Sequence, residues 1–352
     1  MKAVMDDKTE SQAEMLGNRL RKRHRHLLRW ARRGGTGAFR LYDRDIPEIP
    51  LVLDYYESSP GAAALAGALY RRPYEKDPGE EEAWLARMEE ETALALQIPP
   101  SRIFMRERRR LRGRAGGGQE GAQAAAKAAG GQYERLNPPA GGFEMAVGEG
   151  GLRFWVNLSA YLDTGLFLDR RLLRAFVRDR AAGRQVLNLF AYTCAFSVYA
   201  AAGGAASVDS VDISRTYLDW GRRNFALNGL EAAGGGLRAG APFRFIRADA
   251  LRFLGEAAGA GRKWDLIILD PPSFSNSKKM EGTLDIKRDH GPLLRGCLDI
   301  LKPGGILIFS VNAKGFTPDR GIRITDMTEK LRDEDFKGHR IPRCYLAGRG
   351  HA

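Results

Sequence analysis

The second half of the sequence alternates short apolar runs with amphipathic helical patterns, and this alternation constrains the fold more than any other feature. The apolar runs are "QVLNLF", "SVDSVDI", "FRFIRAD", "DLIILD" and "GILIFSV". Helical patterns such as "RTYLDWGRRNFALNG" and "HGPLLRGCLDILKPGG" lie between them. Such runs are typical of strands that a parallel sheet buries on both faces. The sequence therefore predicts a doubly wound, mostly parallel α/β fold over residues 160–352.

Residues 1–159 follow a different pattern, which predicts a smaller α+β domain. The segment "LGNRLRKRHRHLLRWARRGG" predicts a basic amphipathic helix over residues 18–33 that Gly34 and Gly35 end. Two strand-like runs, "AFRLYD" and "PLVLDYY", precede the helical pattern "GEEEAWLARMEEETALAL". A further strand and a hairpin follow, and the hairpin turns at "GEGG". Residues 113–132 between them are nearly all Gly, Ala and Gln, and they are interpreted as a flexible insertion.

Charge and cysteine content narrow the classes of partner. The formal net charge of +13 favours a polyanionic partner, either nucleic acid or an anionic membrane surface. No apolar stretch approaches the roughly 20 residues that span a bilayer. The three cysteines are far apart in sequence, so neither a disulfide framework nor a metal site is expected. A reducing, cytoplasmic setting fits this pattern best.

Acidic residues end three consecutive strand candidates. Asp212 follows Phe190 by about 22 residues, the spacing at which a nucleotide-binding unit places an acid on a ribose diol. Asp249 is placed to accept a hydrogen bond from an adenine amino group, and Asp270 follows the fourth strand. The alternative for each is a cap on the helix that comes next.

The loop after the first strand, "NLFAYTCAFS", lacks the GxGxxG pattern that a dinucleotide pyrophosphate requires. S-adenosylmethionine carries adenosine without phosphates and tolerates a looser first turn. The acids at the strand ends and the Asp-Pro-Pro sequence fit its pocket. The two prolines fix φ near −65° and remove two backbone donors, which makes a rigid corner beside Asp270.

Five collinear runs carry a family resemblance: "YLDTGLFLDRR", "NLFAYT", "VDISRTYLDW", "DPPSFSNSKKM" and "FSVNAKGF". They resemble the guanine-N7 half of the bacterial bifunctional large-subunit ribosomal RNA methyltransferases, or a free-standing relative of that half. The likeness reaches upstream to "NRLRKRHRHLLRWARRGGTGAFRLYD". It implies a Rossmann-like class I methyltransferase that transfers a methyl group from S-adenosylmethionine to N7 of a guanine in 23S ribosomal RNA.

The resemblance also implies site residues. The cofactor would be bound by Asp163, Thr164, Gly165, Phe167, Phe190, Ala191, Tyr192, Asp212, Asp249 and Asp270. The catalytic corner at the guanine would consist of Asp270, Pro271, Pro272 and Phe274. The RNA would contact Ser273, Phe274, Lys278, Lys279, Arg288, Asn312, Arg21, Arg23 and Arg25. The alternative for each of these cations is a solvated surface charge, and for Phe274 a core aromatic.

Three interpretations of the activity are compatible with these residues. Guanine N7 has a free lone pair and no proton, so its attack needs positioning and no general base. Relatives that methylate cytosine C5 need a cysteine nucleophile where this chain has Val311 and Asn312, and amino-group methyltransferases more typically have an aromatic residue where this chain has Ser273. The third interpretation is an inactive RNA-binding homologue, because Cys194 stands where the family has glycine and too few residues lie between "FSVN" and "GIRITD" for the usual crossover helix.

Overall fold

The computed structural model describes residues 6–70, 72, 74, 77–108, 142–230, 242–275 and 283–348. The predicted insertion at residues 113–132 lies outside the described residues. The chain divides into two compact units. Among described residues, the first contains those up to 108, those from 142 to 151, and Val156–Thr164. The second contains Leu152–Trp155 and the chain from Gly165 onward.

The first unit begins with a long helix, α1 (Asp7–Gly34), which confirms the predicted basic helix and extends it toward the N-terminus. The carboxylate of Asp6 accepts a hydrogen bond from the backbone N–H of Lys8 and caps the helix start. The helix ends where Gly35 adopts φ +63°, a left-handed conformation that costs glycine little. The buried side of α1 carries Leu16, Leu20, Leu27 and Ala31.

A four-stranded sheet completes the core of the first unit. Its strands, in spatial order, are β1 (Ala38–Asp43), β2 (Leu51–Glu57), β3 (Ala63–Tyr70) and β4 (Ile103–Arg108). The first three are antiparallel, whereas β3 and β4 are parallel and are joined through α2 (Pro78–Leu96). One apolar cluster joins α1, α2 and the sheet, with Trp84, Phe39 and Leu53 among its members. Strands β5 (Glu144–Glu149) and β6 (Leu152–Asn157) form the predicted hairpin.

The second unit is built on a seven-stranded sheet. Five strands are parallel, in the spatial order β13 (Leu301–Val311), β10 (Trp264–Leu269), β7 (Gln185–Leu189), β8 (Ser207–Asp212) and β9 (Phe243–Arg247). The order reverses between β7 and β10, so the loops that follow these two strands diverge there. This is the position at which doubly wound sheets bind ligands. The predicted fold class is confirmed.

Five helices alternate with these strands: α3 (Arg171–Arg178), α4 (Ala195–Ala202), α5 (Arg215–Leu227), α6 (Ala250–Gly259) and α7 (Ile286–Asp299). Ile267 and Leu269 of β10 share a core with α6 and α7. Leu266 and Ile268, which point to the other face of the sheet, are also fully buried. Burial on both faces explains why the strands read as uninterrupted apolar runs.

One charged residue is buried inside this sheet. The carboxylate of Asp209, 1% exposed, accepts hydrogen bonds from the guanidinium groups of Arg244 and Arg262 and from the indole N–H of Trp264. The contacts bring together β8, β9 and the start of β10. A buried carboxylate of this kind is tolerated only because its partners are in place.

The end of the chain confirms the predicted loss of the last crossover helix. No α-helix is described between β13 and β15 (Arg343–Gly348), a strand antiparallel to β13. The segment instead holds the short strand β14 (Thr325–Asp326) and two 3₁₀ turns. Arg171 of α3 anchors it through the carboxylates of Asp333 and Asp335, at 2.8 and 3.1 Å. The sheet therefore reaches seven strands without the helix.

Candidate active site at the carboxyl ends of the parallel strands

The loop after β7 has an unusual backbone. Phe190, Tyr192 and Cys194 adopt φ values of +56°, +50° and +60°, so every second residue is left-handed. Such values disfavour residues that carry a Cβ, by roughly 1–2 kcal/mol each, and glycine would adopt them without that cost. The backbone thus adopts conformations that glycine usually supplies, although residues 190–194 contain no glycine. Strain of this kind is typical of functional sites.

Hydrogen bonds hold this strained loop in place. The hydroxyl of Thr193 donates to the carbonyl of Gly165 at 2.6 Å, and the side-chain amide of Asn224 donates to the carbonyl of Thr193 at 2.9 Å. The backbone N–H of Tyr192 donates to Asp212 at 2.9 Å. Three separate segments thus fix the loop, which explains how it keeps an unfavourable conformation.

Cys194, the departure from the family glycine, packs beneath this loop. Its side chain is fully buried and lies against Gly221 of α5, where an added Cβ would come within 2.4 Å of the Sγ atom. Burial raises the pKa of the thiol above its usual range. Because the side chain points into the protein, the substitution fills space between the loop and α5.

Asp212 ends β8 and faces the same loop. One carboxylate oxygen accepts the N–H of Tyr192, and the other accepts the N–H of Ser214 at 2.8 Å. Burial raises the pKa of Asp212 to about 6, although backbone hydrogen bonds from Ser214, Tyr192 and Ile213 lower it. A carboxylate that is held by backbone donors and is costly to ionise is the kind of group found at functional sites. Its remaining acceptor positions suit hydroxyl donors such as a ribose diol.

Aromatic rings surround the loop. The ring of Phe167 lies 5.1 Å from that of Tyr192, which in turn lies 4.6 Å from the ring of Tyr217 on α5. Gly165, at φ +97°, has the indole of Trp220 where a side chain would lie. The structure thus brings together Gly165, Phe167 and the Phe190–Tyr192 loop. Tyr217 was not among the residues predicted to bind the cofactor, although it lies inside the run "VDISRTYLDW".

Two further predicted cofactor residues, Asp163 and Thr164, belong to the first unit. Asp163 is buried, and the hydroxyl of Thr164 lies 2.9 Å from that of Tyr56. Asp249 caps α6 by accepting the backbone N–H of Arg252 at 3.1 Å. This is the alternative that the sequence left open, and a role toward adenine stays a prediction.

Asp270 follows β10 and is bound on both oxygens by one arginine. Arg170, in the 3₁₀ turn Leu168–Arg170, donates through Nε and Nη2 to the two carboxylate oxygens, at 3.2 and 3.0 Å. This arginine lies in the run "YLDTGLFLDRR", but the sequence did not indicate a role for it. Because the pair bridges residues 100 positions apart, only the fold could reveal it.

The residues that follow Asp270 are held by a hydrogen bond to the end of β13 and by a short strand pairing. Pro271 is buried and Pro272 half-buried. The hydroxyl of Ser273 donates to the carbonyl of Asn312 at 3.0 Å, which ties this corner to the end of β13. Phe274, half-buried, begins the two-residue strand β11 (Phe274–Ser275), which pairs with β12 (Leu284–Asp285). It is therefore not the core aromatic of the alternative interpretation.

The cations expected to contact RNA are not equivalent. Lys278 and Lys279 lie outside the described residues. Arg288 is exposed, but its Nε and Nη2 donate to the two carboxylate oxygens of Asp289, and Nη2 also donates to the carbonyl of Thr283. The hydrogen bond to Asp289 raises the pKa of Arg288. Arg288 is therefore held by Asp289 of the same helix and by Thr283, which leaves it less available than the sequence suggested.

Two of the predicted RNA-contacting cations on α1, Arg21 and Arg23, also make contacts inside the first unit, and their contact with RNA stays a prediction. Arg21 binds Glu91 of α2 at 3.0 Å, and Arg23 donates to the carbonyl of Leu41 at 2.7 Å. The side chain of Arg23 is 17% exposed and lies beside the buried face, whereas that of Arg21 is 46% exposed. Arg25 belongs to an exposed cationic stripe on the opposite side, made up of Lys22, Arg25, Arg29, Arg32 and Arg33.

Two other kinds of site are absent from the described residues. Within those ranges, no group of three or more His, Cys, Asp or Glu side chains is placed to hold a metal ion. No helix in that part of the chain is long and apolar enough to cross a membrane.

Comparisons with known proteins agree with the fold. A family model for S-adenosylmethionine-dependent methyltransferases matches residues 139–330. The ribosomal RNA large subunit methyltransferase K of Neisseria meningitidis is 42% identical over 93% of this chain and 85% of its own length. The methyltransferase K/L of Methylococcus capsulatus is also 42% identical, over 95% of this chain, but the chain spans only 42% of that protein.

Solved structures support the fold alone, because their sequence identity is low. The crystal structure of SMU.776 in complex with SAH matches with a TM-score of 0.65 and 22% identity, over 98% of this chain and 82% of that one. A SAM-dependent methyltransferase from Agrobacterium tumefaciens matches with a TM-score of 0.54 and 19% identity, over 85% and 88%.

Proposed function

Because the chain belongs to the S-adenosylmethionine-dependent ribosomal RNA large subunit methyltransferase K and K/L family, we propose that it methylates N7 of a guanine in 23S ribosomal RNA. The names of these relatives suggest the RNA substrate, and a cytoplasmic setting is part of the proposal. The half of the K/L proteins that this chain does not span is no part of the proposal.

The residues at the carboxyl end of the sheet fit an adenosyl cofactor. Asp212 offers carboxylate acceptors for ribose hydroxyls, and Phe167, Tyr192 and Tyr217 offer apolar and aromatic surface. Asp249 would face the adenine, and Asp163 and Thr164 the methionine end. When bound, S-adenosylmethionine supplies an electrophilic methyl group on a sulfonium centre.

The state of the cysteines is the observation that favours a ring nitrogen over carbon as acceptor. Cytosine C5 methylation needs a cysteine thiolate as nucleophile, which requires an accessible thiol with a low pKa. Cys194, Cys297 and Cys344 are all buried, and burial raises the pKa of each thiol, that of Cys344 to about 12. None of the three is suited to attack a base.

The geometry of Asp270 supports the same choice. Guanine N7 carries no proton, so no side chain has to remove one during the transfer. Asp270 has both oxygens engaged by Arg170 and is better suited to orient a base than to act as a free general base. Pro271 and Pro272 keep the corner rigid, and Phe274 offers a half-buried ring on which a base taken out of the RNA can stack.

We also propose that the first unit binds RNA through the cationic stripe of α1. Its five cations are exposed and share one side of the helix. Such a row suits contacts to successive phosphates. Part of its charge also complements the helix dipole, because Arg32 and Arg33 lie in the last turn. The salt dependence of RNA affinity separates these two roles, because only phosphate binding releases counterions from the RNA.

Nucleoside mass spectrometry after incubation with unmodified 23S RNA tests the proposed acceptor. We expect 7-methylguanosine from the wild type and none from Asp212→Ala, which should bind RNA normally. Formation of 5-methylcytidine or an N-methylated exocyclic amine would replace the proposal by one of its alternatives. Titration calorimetry with S-adenosylmethionine tests the inactive interpretation, which would be correct if no binding occurred at millimolar cofactor.

A further inference from the structure

The guanidinium of Arg170 connects several parts of the candidate active site. Besides its two bonds to Asp270, it lies 2.9 Å from the carboxylate of Asp169 and 5.8 Å from the ring centre of Phe167. Phe167 in turn contacts Tyr192 of the strained loop. One side chain therefore touches both the Asp-Pro-Pro corner and the aromatic group beside the cofactor loop.

The environment of Arg170 fixes its position. The residue is 8% exposed. Burial lowers its pKa, but the carboxylates of Asp169 and Asp270 more than offset this and leave the pKa above the usual value. A planar guanidinium that binds a carboxylate with two parallel hydrogen bonds sets both the distance and the plane of that carboxylate. Lysine, with a single point charge, sets neither.

We propose that Arg170 is a positioning residue for methyl transfer, which acts by fixing the carboxylate plane of Asp270 at the exit of β10. The proposal rests on the proposed function, since it takes Asp270 to face the acceptor base. Each carboxylate oxygen keeps a second lone pair while bound to Arg170, so the pair can still accept hydrogen bonds from the base. Arg170 then defines where those acceptors point.

The chain offers a matched control in the next residue. Arg171 is equally buried and also binds two carboxylates, but these are Asp333 and Asp335 of the C-terminal segment. Arg170→Lys and Arg171→Lys make the same chemical change at neighbouring buried ion pairs. Only the first reaches Asp270.

Single-turnover kinetics with 23S RNA and cofactor-binding measurements compare the variants. We expect Arg170→Lys to lower the methyl-transfer rate about tenfold to a hundredfold, with RNA affinity unchanged. Asp270→Asn should cause a similar loss, and the double variant should be no slower than the slower single variant, because both changes break one unit. Arg171→Lys should lower the melting temperature while leaving the rate unchanged.

Three results would overturn the inference. The first is an unchanged methyl-transfer rate in Arg170→Lys while Asp270→Asn is slow. The second is that the rate losses of the two single variants add in the double variant. The third is that Arg171→Lys lowers the rate as much as Arg170→Lys does. Arg170→Ala gives a second test: added methylguanidinium should restore its rate, and no rescue would count against the fork geometry. Failure of the wild type to methylate the RNA would instead refute the proposed function.

Discussion

Asp212→Asn tests whether the acid at the end of β8 carries the cofactor site. Burial raises the pKa of this carboxyl group from 3.8 to about 6 in the ligand-free protein. Folding therefore favours the protonated form, and the group destabilises the fold once it ionises. The stability associated with its proton is fully present below pH 3.8 and is lost as the pH rises through about 6.

The size of this pKa change sets how strongly stability should depend on pH. The difference between a pKa of 3.8 and one of about 6 corresponds to about 3 kcal/mol between the two protonation states. Most of the change above pH 5 falls near the folded pKa, so the wild type should lose about 1.4 kcal/mol between pH 5 and pH 8 from this group alone. Asp212→Asn lacks the titration and should lose none of it. At pH 5 only about a tenth of Asp212 is ionised, so cofactor affinity should be about tenfold lower than at pH 8.

Urea denaturation of both proteins from pH 5 to pH 8 measures the difference, since all other titrating groups are shared. Calorimetric titration with S-adenosylmethionine over the same range measures the affinity. Asp219→Asn is the control: it removes one carboxylate from the exposed side of α5, where Asp219 binds Arg222, and should leave cofactor affinity unchanged.

A flat difference curve between wild type and Asp212→Asn from pH 5 to pH 8 would refute the argument from burial. Cofactor affinity that is unaffected by the substitution would refute the assignment of Asp212 to the ribose. The two outcomes are independent. The first concerns the ionisation of the Asp212 carboxyl group without cofactor, and the second concerns the binding of the cofactor by that group.

Three further perturbations follow from the described contacts. Gly221→Ala should destabilise the fold by about 1–3 kcal/mol in urea denaturation, because its Cβ would lie 2.4 Å from the Sγ of Cys194, and adding Cys194→Gly should restore stability. Asp209→Asn should cost about 1–3 kcal/mol, since it removes the buried carboxylate that two partly exposed arginines share; a loss below about 0.5 kcal/mol would contradict this. Replacing the cationic stripe by Ala should lower the slope of log affinity against log salt by about 0.7 for each phosphate of single-stranded RNA that the variant no longer neutralises. Replacing Arg21 and Arg23 should instead lower the melting temperature.

The sequence indicated much of this organisation because burial leaves a local trace. The apolar runs of β7 and β10 predicted a sheet covered on both faces, and the acids that follow the strands predicted where a cofactor site would lie. The short interval between "FSVN" and "GIRITD" also predicted that the crossover helix would be missing. In each case the signal lies within a few neighbouring residues.

Other features depend on residues that are distant in the chain or on conformations that the sequence conceals. Arg170 binds Asp270 from 100 positions away, and nothing local distinguishes it from Arg171. The left-handed turn at Phe190, Tyr192 and Cys194 is hidden because glycine normally marks such positions.

The sequence by itself determined the fold class, the family and the acids at the strand ends, since periodicity and short motifs record which faces are buried. Only the tertiary structure decided which charges are engaged within the protein and which remain exposed. It showed that Arg21 binds Glu91 and that Arg23 binds the carbonyl of Leu41, whereas the cationic stripe points to solvent. The physical reason is that an ion pair forms between side chains that meet in space, whereas hydrophobic periodicity is imposed along the chain.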